Sequence, residues 1–124
     1  MDVGCVRIFA DEHGESHFAD VSLPLELISL APPMAPVPVS APIPAARVVF
    51  FHGPQTKQDG AWHPAPTRQL MFVLAGSVEI TVSDGEMRSF GPGSVLMAED
   101  VHGRGHSGRR PEPQGLTAAL VQLD

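Results

Sequence analysis
The chain has 124 residues, 43% of them apolar and 18% charged, with a formal charge of −6. These values describe one globular domain with a single core and exclude a largely disordered chain. The acidic balance also excludes the basic faces that hold nucleic acid or anionic membrane, so neither is expected as a partner.

No apolar run approaches the length that spans a bilayer. Met1-Asp2-Val3-Gly4-Cys5 carries neither a basic nor an apolar leader region, and the lone Cys5 cannot form an intramolecular disulfide. A cytoplasmic location is therefore expected. Twelve glycines and thirteen prolines predict many turns and little helix.

Cys5 to Ala10 reads as a first strand, with Cys5 as a packing residue, and Asp11 to Glu15 as a polar turn. Phe18, Val21, Leu23 and Leu25 continue an apolar, strand-like segment. His13 and His17, in acidic surroundings, read as solvent-exposed. Residues 31–45 carry six prolines, at 32, 33, 36, 38, 42 and 44. Proline removes a ladder donor and fixes φ, so this stretch predicts an extended, polyproline-like connection. The chain thus divides into an N-terminal arm (1–30), a proline-rich connection (31–45) and a β-domain (46–124), all within one domain.

Arg47 to His52 is β-branched and aromatic and predicts a strand ended by Gly53-Pro54. Gln69 to Leu74 is almost continuously apolar, as expected of a strand covered on both faces. Ser77 to Ser83 alternates with period two, which buries Val78, Ile80 and Val82. Asp84-Gly85 predicts a tight hairpin with a type I′ turn. Met87 to Phe90 returns, Gly91-Pro92-Gly93 turns, and Ser94 to Ala98 runs back. A polar loop over 99–105 precedes a final strand from Leu116 to Leu123. Six to eight short strands without helical periodicity predict an all-β sandwich or barrel.

Two stretches then carry a resemblance. His63-Pro64-Ala65, with Gln69 and Gly76 at the spacing His-x-His, Glu, Gly, is similar to the first motif of the cupin superfamily. Val101-His102-Gly103-Arg104-Gly105-His106, ending at Arg110, fits the frame of the second motif. Together with Trp-His-x-Ala-Pro and the Gly-Pro-Gly turn, they resemble small bacterial single-domain cupins. The resemblance covers residues 46–123 and implies a double-stranded β-helix, or jelly-roll barrel. It also implies an inward-facing site, and a homodimer formed through strands exchanged or added at an edge.

Metal-bearing cupins hold one ion with two histidines and a glutamate from the first motif and a histidine from the second. Here His63 and His106 remain, while Ala65 and Gln69 replace an imidazole and a carboxylate. Residues 63 and 65 are expected to share a face of a strand, so both would point inward. His63, Gln69 and His106 are the candidate metal ligands and catalytic groups. They would hold one divalent zinc, iron, nickel or manganese ion weakly, with positions open for a small, anionic ligand. The other reading is a metal-free pocket lined by the same groups.

Trp62, Met71, Val73, His52, His102 and Arg104 are candidate pocket residues. For Met71 and Val73 plain core is the alternative, for His52 and His102 a surface or rim position, and for Trp62 packing on the barrel wall. Arg104, Arg109 and Arg110 form the basic cluster, which either attracts an anion or is a solvated turn that pairs with Glu99 and Asp100. The expected function is a small-molecule enzyme performing isomerisation, dehydration or cyclisation. An oxygenase is disfavoured by the missing carboxylate. The competing expectation is a binding or sensing module without chemistry.

Overall fold
The computed structural model describes residues 2–124 and is all-β. Ten strands run in chain order: β1 (Asp2–Ala10), β2 (Ser16–Ile28), β3 (Val37–Ser40), β4 (Arg47–Gly53), β5 (Gln69–Gly76), β6 (Val78–Val82), β7 (Met87–Phe90), β8 (Val95–Ala98), β9 (His106–Arg109) and β10 (Leu116–Gln122). They form a seven-stranded sheet, β3-β2-β1-β8-β5-β10-β4, and a three-stranded sheet, β7-β6-β9, with no closed barrel among the described residues. Among the described residues no helix is long and apolar enough to cross a membrane.

Period-two alternation sends one row of each sheet into a shared core. Val78, Ile80, Val82 and Phe90 come from the small sheet, and Ile8, Phe18, Val73, Leu96, Leu116 and Ala118 from the large one. Phe18 and Phe90 meet across it with ring centroids 6.0 Å apart. Burying each large apolar side chain contributes roughly 1.5–3 kcal/mol, so this row is the main reason the sheets face each other. Cys5 is buried as packing, and burial pushes its thiol pKa up. Across β6 and β9, Glu79 lies directly opposite Arg109, and both its carboxylate oxygens accept from Nη2 at 2.8 Å. This pair pins the register of the small sheet.

Several sequence expectations are corrected. Residues 37–40 of the proline-rich stretch are a strand, because an edge position leaves Pro38 able to pair with β2 without breaking a ladder on both sides. β5 is not covered on both faces, since Leu74 is 52% exposed. The β6–β7 connection is not type I′: Gly85 alone adopts positive φ, at 100°. Gly85 N donates to Val82 O and Val82 N to Glu86 O, which makes a three-residue loop with its left-handed position on the glycine. The strand β9 was not anticipated, because His-Ser-Gly-Arg lacks β-branched or aromatic residues.

At Gly76 the sequence's closing glycine has a structural cause. Its φ is +74°, and a Cβ there would lie 1.8 Å from the Gly115 carbonyl oxygen. Substitution Gly76→Ala is expected to cost roughly 2–4 kcal/mol, combining a left-handed conformation with a backbone clash. Urea denaturation checks this, and a cost below about 0.5 kcal/mol would contradict the packing described.

Candidate functional site
Two consecutive acids follow β8, and they serve different neighbours. Glu99 receives hydrogen bonds from Arg7 of β1 and from Arg68, the latter at 3.0 Å. Burial pushes its pKa up, but the two guanidinium hydrogen bonds outweigh this and leave it lowered. Asp100 has no exposed side-chain surface. Its Oδ2 lies 2.7 Å from Nδ1 of His106, and its backbone carbonyl accepts from Ala65 N at 3.0 Å. The second carboxylate oxygen, Oδ1, is buried with no partner among the described residues.

His106 begins β9 opposite Val82, which turns its side chain toward the core side of the small sheet. Its side chain is 14% exposed. A single antiparallel bridge joins it to His63, with N–H to carbonyl bonds of 3.1 and 3.0 Å in the two directions. The rings consequently lie side by side, centroids 4.9 Å apart and tilted by 59°. Next to them, Gly105 has φ +72°, and a Cβ there would fall 2.1 Å from the His63 carbonyl. The Gly-His step is therefore what lets these two segments touch.

The proton positions follow from the acceptors. A carboxylate and a carbonyl can only accept, so Nδ1 is assigned as the donor in His106, toward Asp100, and in His63, toward Pro64 O at 3.0 Å. Each ring in its neutral form then presents an Nε2 lone pair with no hydrogen bond from the described residues.

The remaining sequence candidates divide. His63 is exposed and lies on a one-residue bridge, whereas Ala65 is only 3% exposed and outside any strand. The two therefore do not share an inward strand face, because Pro64 and Pro66 interrupt pairing. Gln69 opens β5 opposite Ala98, and its Oε1 is buried without a partner. Val73 is in the core and Met71 packs against it, so neither is free to line a pocket. His52 is exposed and bonded to Thr117 at 2.9 Å, on the far side of the large sheet, and His102 is exposed in its loop. Trp62, Ser83 and Arg104 line a surface cleft of about 430 Å³, and each is a chain neighbour or near neighbour of His63, Val82 or His106. The expected pairing of the basic cluster with Glu99 and Asp100 is not formed. Arg104 binds Glu15, Arg109 binds Glu79, and Arg110 donates to Pro54 O.

Sequence reasoning missed Asp100 as the partner of His106. Its only signal is an acid six positions ahead of that histidine across a glycine loop, and pairing across a loop has no local periodicity.

Among the described residues no three His, Cys, Asp or Glu side chains are arranged to hold a metal ion. The two Nε2 atoms do meet one requirement of metal ligands, that the other ring nitrogen be tied to an acceptor. Gln69 would have to complete the set with a neutral oxygen. This donor set suits a weakly held ion at most.

The loop carrying His106 is anchored by a second polar cluster. The fully buried Ser16 donates to Gly105 O at 2.6 Å and exchanges hydrogen bonds with Ser83. Close by, His17 was expected to be solvent-exposed but lies between two carboxylates, with Asp11 on Nε2 and Asp84 on Nδ1, each at 2.8 Å. The hydrogen bond to Asp11, then that to Asp84, raises its pKa. The same bond from His17 is the main cause that lowers Asp11 to about 2.

No family model and no curated protein matches the chain. Among solved structures it is similar to protein NMB1881 from Neisseria meningitidis. The TM-score is 0.40 at 19% identity, covering 62% of this chain and 70% of that one. At that level no activity is transferred.

The clamp around His17 predicts a pH window. A raised histidine pKa contributes stability that is complete below about 6.5 and lost as pH rises through the folded value. The lowered Asp11 contributes above about 3.9 and is lost as pH falls toward 2. The Tm difference between the protein and its His17→Gln variant should therefore be largest from about pH 4 to pH 6 and shrink above it. A difference independent of pH would refute the charged clamp.

Proposed function
We propose that the protein is a small-molecule enzyme of the cupin kind, its jelly-roll core carrying an acid–base site at His106, His63 and Asp100. The observation that carries this reading is the buried Asp100 carboxylate on Nδ1 of His106, with Nε2 free of any hydrogen bond from the described residues and the exposed His63 ring alongside, centroids 4.9 Å apart. A histidine held in one tautomer by a buried acid is the arrangement a general base requires.

In this reading Nε2 of His106 takes a proton from a carbon or hydroxyl of the substrate. Asp100, a positioning residue, stabilises the resulting imidazolium across the 2.7 Å bond. The proton is then returned to a different atom of the same substrate, which describes an isomerisation, or to a leaving group, which describes a dehydration or cyclisation. No external oxidant is needed. His63, at the exposed rim, donates or accepts the second proton. The substrate is a small organic molecule seated in the cleft of Trp62, Ser83 and Arg104. Glu15 already engages one nitrogen of Arg104, so the cleft offers a partly balanced guanidinium rather than a free cation. Should a divalent ion bind, His63, His106 and Gln69 would hold it, and it would supply Lewis-acid polarisation of a substrate oxygen. The alternative is a binding module that uses the same cleft without turnover.

The test pairs chemistry with a readout that does not depend on it. Small hydroxy and keto acids would be screened by proton NMR in heavy water for turnover or carbon–hydrogen exchange. His106→Gln is expected to lose roughly 10²–10⁴-fold in rate. Nitrogen NMR of Asp100→Asn should show His106 losing its single Nδ1–H tautomer while the fold persists. Binding to the cleft with no exchange in any compound would favour the binding module. A His106→Gln variant with full activity would sink the acid–base reading.

A further inference from the structure
Trp62 and Arg104 are the two large side chains of the cleft, and both are held from behind. Trp62 lies between two backbone ties to β9, Gly60 N to Gly108 O at 2.9 Å and His63 N to His106 O at 3.1 Å. It is nevertheless 51% exposed, and among the described residues no aromatic ring or cation covers its indole. Elsewhere arginines do cover their aromatic neighbours, Arg7 over Phe9 at 4.5 Å and Arg88 over Phe18 at 5.0 Å. Arg104 is anchored through its backbone N–H to Gly14 O at 2.9 Å and through Nη1 to Glu15 Oε2 at 2.8 Å. Glu15 therefore occupies one end of the guanidinium. Nε–H and Nη2–H, the side-on pair that matches a carboxylate, have no acceptor among the described residues. Ser83 adds nothing to spare, because its Oγ donates to Glu15 Oε2 and accepts from Ser16.

We propose that this cleft selects a planar, ring-bearing monocarboxylate, with Arg104 as the residue that determines specificity. The ring stacks on the Trp62 indole, and the contact replaces water on both apolar faces. The carboxylate takes the Nε–H and Nη2–H pair side-on, as a bidentate charge-assisted hydrogen bond. This rests on the reading of the cleft as the ligand's seat, but not on proton transfer at His106. The lining side chains also argue against other classes. Their spare hydrogen-bonding groups, the guanidinium and the indole N–H, are all donors. A ligand rich in its own N–H or O–H donors would lose water there without replacement. A phosphate dianion would roughly double the repulsion from Glu15, which shares the same guanidinium. At about 430 Å³ the cleft falls within the roughly 300–1,000 Å³ of small-molecule sites.

Trp62 is the single tryptophan and the chain has no tyrosine, so intrinsic emission reports on this cleft. The whole protein would be titrated with benzoate, benzamide, acetate and phenyl phosphate up to about 10 mM, since probes this small bind weakly. Benzoate is expected to change the emission with an affinity at least roughly tenfold above each of the other three. In Arg104→Gln its preference over benzamide should vanish. In Arg104→Lys, which keeps the charge without the fork, that preference should fall severalfold. His106→Gln should bind benzoate as the unaltered protein does. Should the Arg104 variants fail to fold, nitrogen NMR of the unaltered protein replaces them, with the Arg104 Nε–H signal moved by benzoate and not by benzamide. Equal affinity for benzoate and benzamide, or for benzoate and acetate, overturns the proposal, as does an emission unchanged by all four. The two readings fail separately. Benzoate selected by a protein that exchanges no proton in any compound upholds the ligand class and removes the acid–base chemistry. Turnover of ringless acids at full rate in Arg104→Gln does the reverse.

Discussion
Asp100 is the point on which the arrangement of loops depends. A carboxylate with no exposed surface is costly unless hydrogen-bonded, and among the described residues the side chain that bonds it is His106, on Oδ2, while Oδ1 has no partner. The same residue accepts from Ala65 through its carbonyl, while Glu99 before it holds Arg7 and Arg68. The step out of β8 therefore ties together β1, the segment leading into β5, and the start of β9. Of these ties only the one to His106 uses the Asp100 carboxylate; Ala65 is held by the Asp100 backbone carbonyl, and Arg7 and Arg68 by Glu99.

The histidine pair follows from that tie. With His106 fixed from behind, the bridge to His63 brings the second ring alongside, and Gly105 removes the side chain that would hold the segments apart. Ser16 and Ser83 then fasten the same loop from the other side, so the site stands on two hairpins rather than on one loop. Such support from separate elements is what holds a reactive group in one rotamer. The polar groups of Asp100, His106, Ser16 and Ser83 thus collect at this end of the molecule.

The all-β class, the positions of β4 through β8 and the burial of Val78, Ile80 and Val82 were legible in the amino-acid order, because strand alternation and turn residues are local signals. The spacing of Gly103, Gly105 and His106 likewise marked the loop that leads into β9. What the order could not decide was every matter of pairing between distant segments. Pro38 is a strand residue only because an edge partner exists. Val73 and Met71 proved to be core because the small sheet covers them. His63 and Ala65 part company because two prolines prevent a strand between them. Asp100 reads in sequence as one more surface acid, and only burial beneath His106 makes it a partner. Local periodicity is written in neighbouring residues, but burial and ion pairing depend on which remote segment arrives, and only the tertiary structure supplies that.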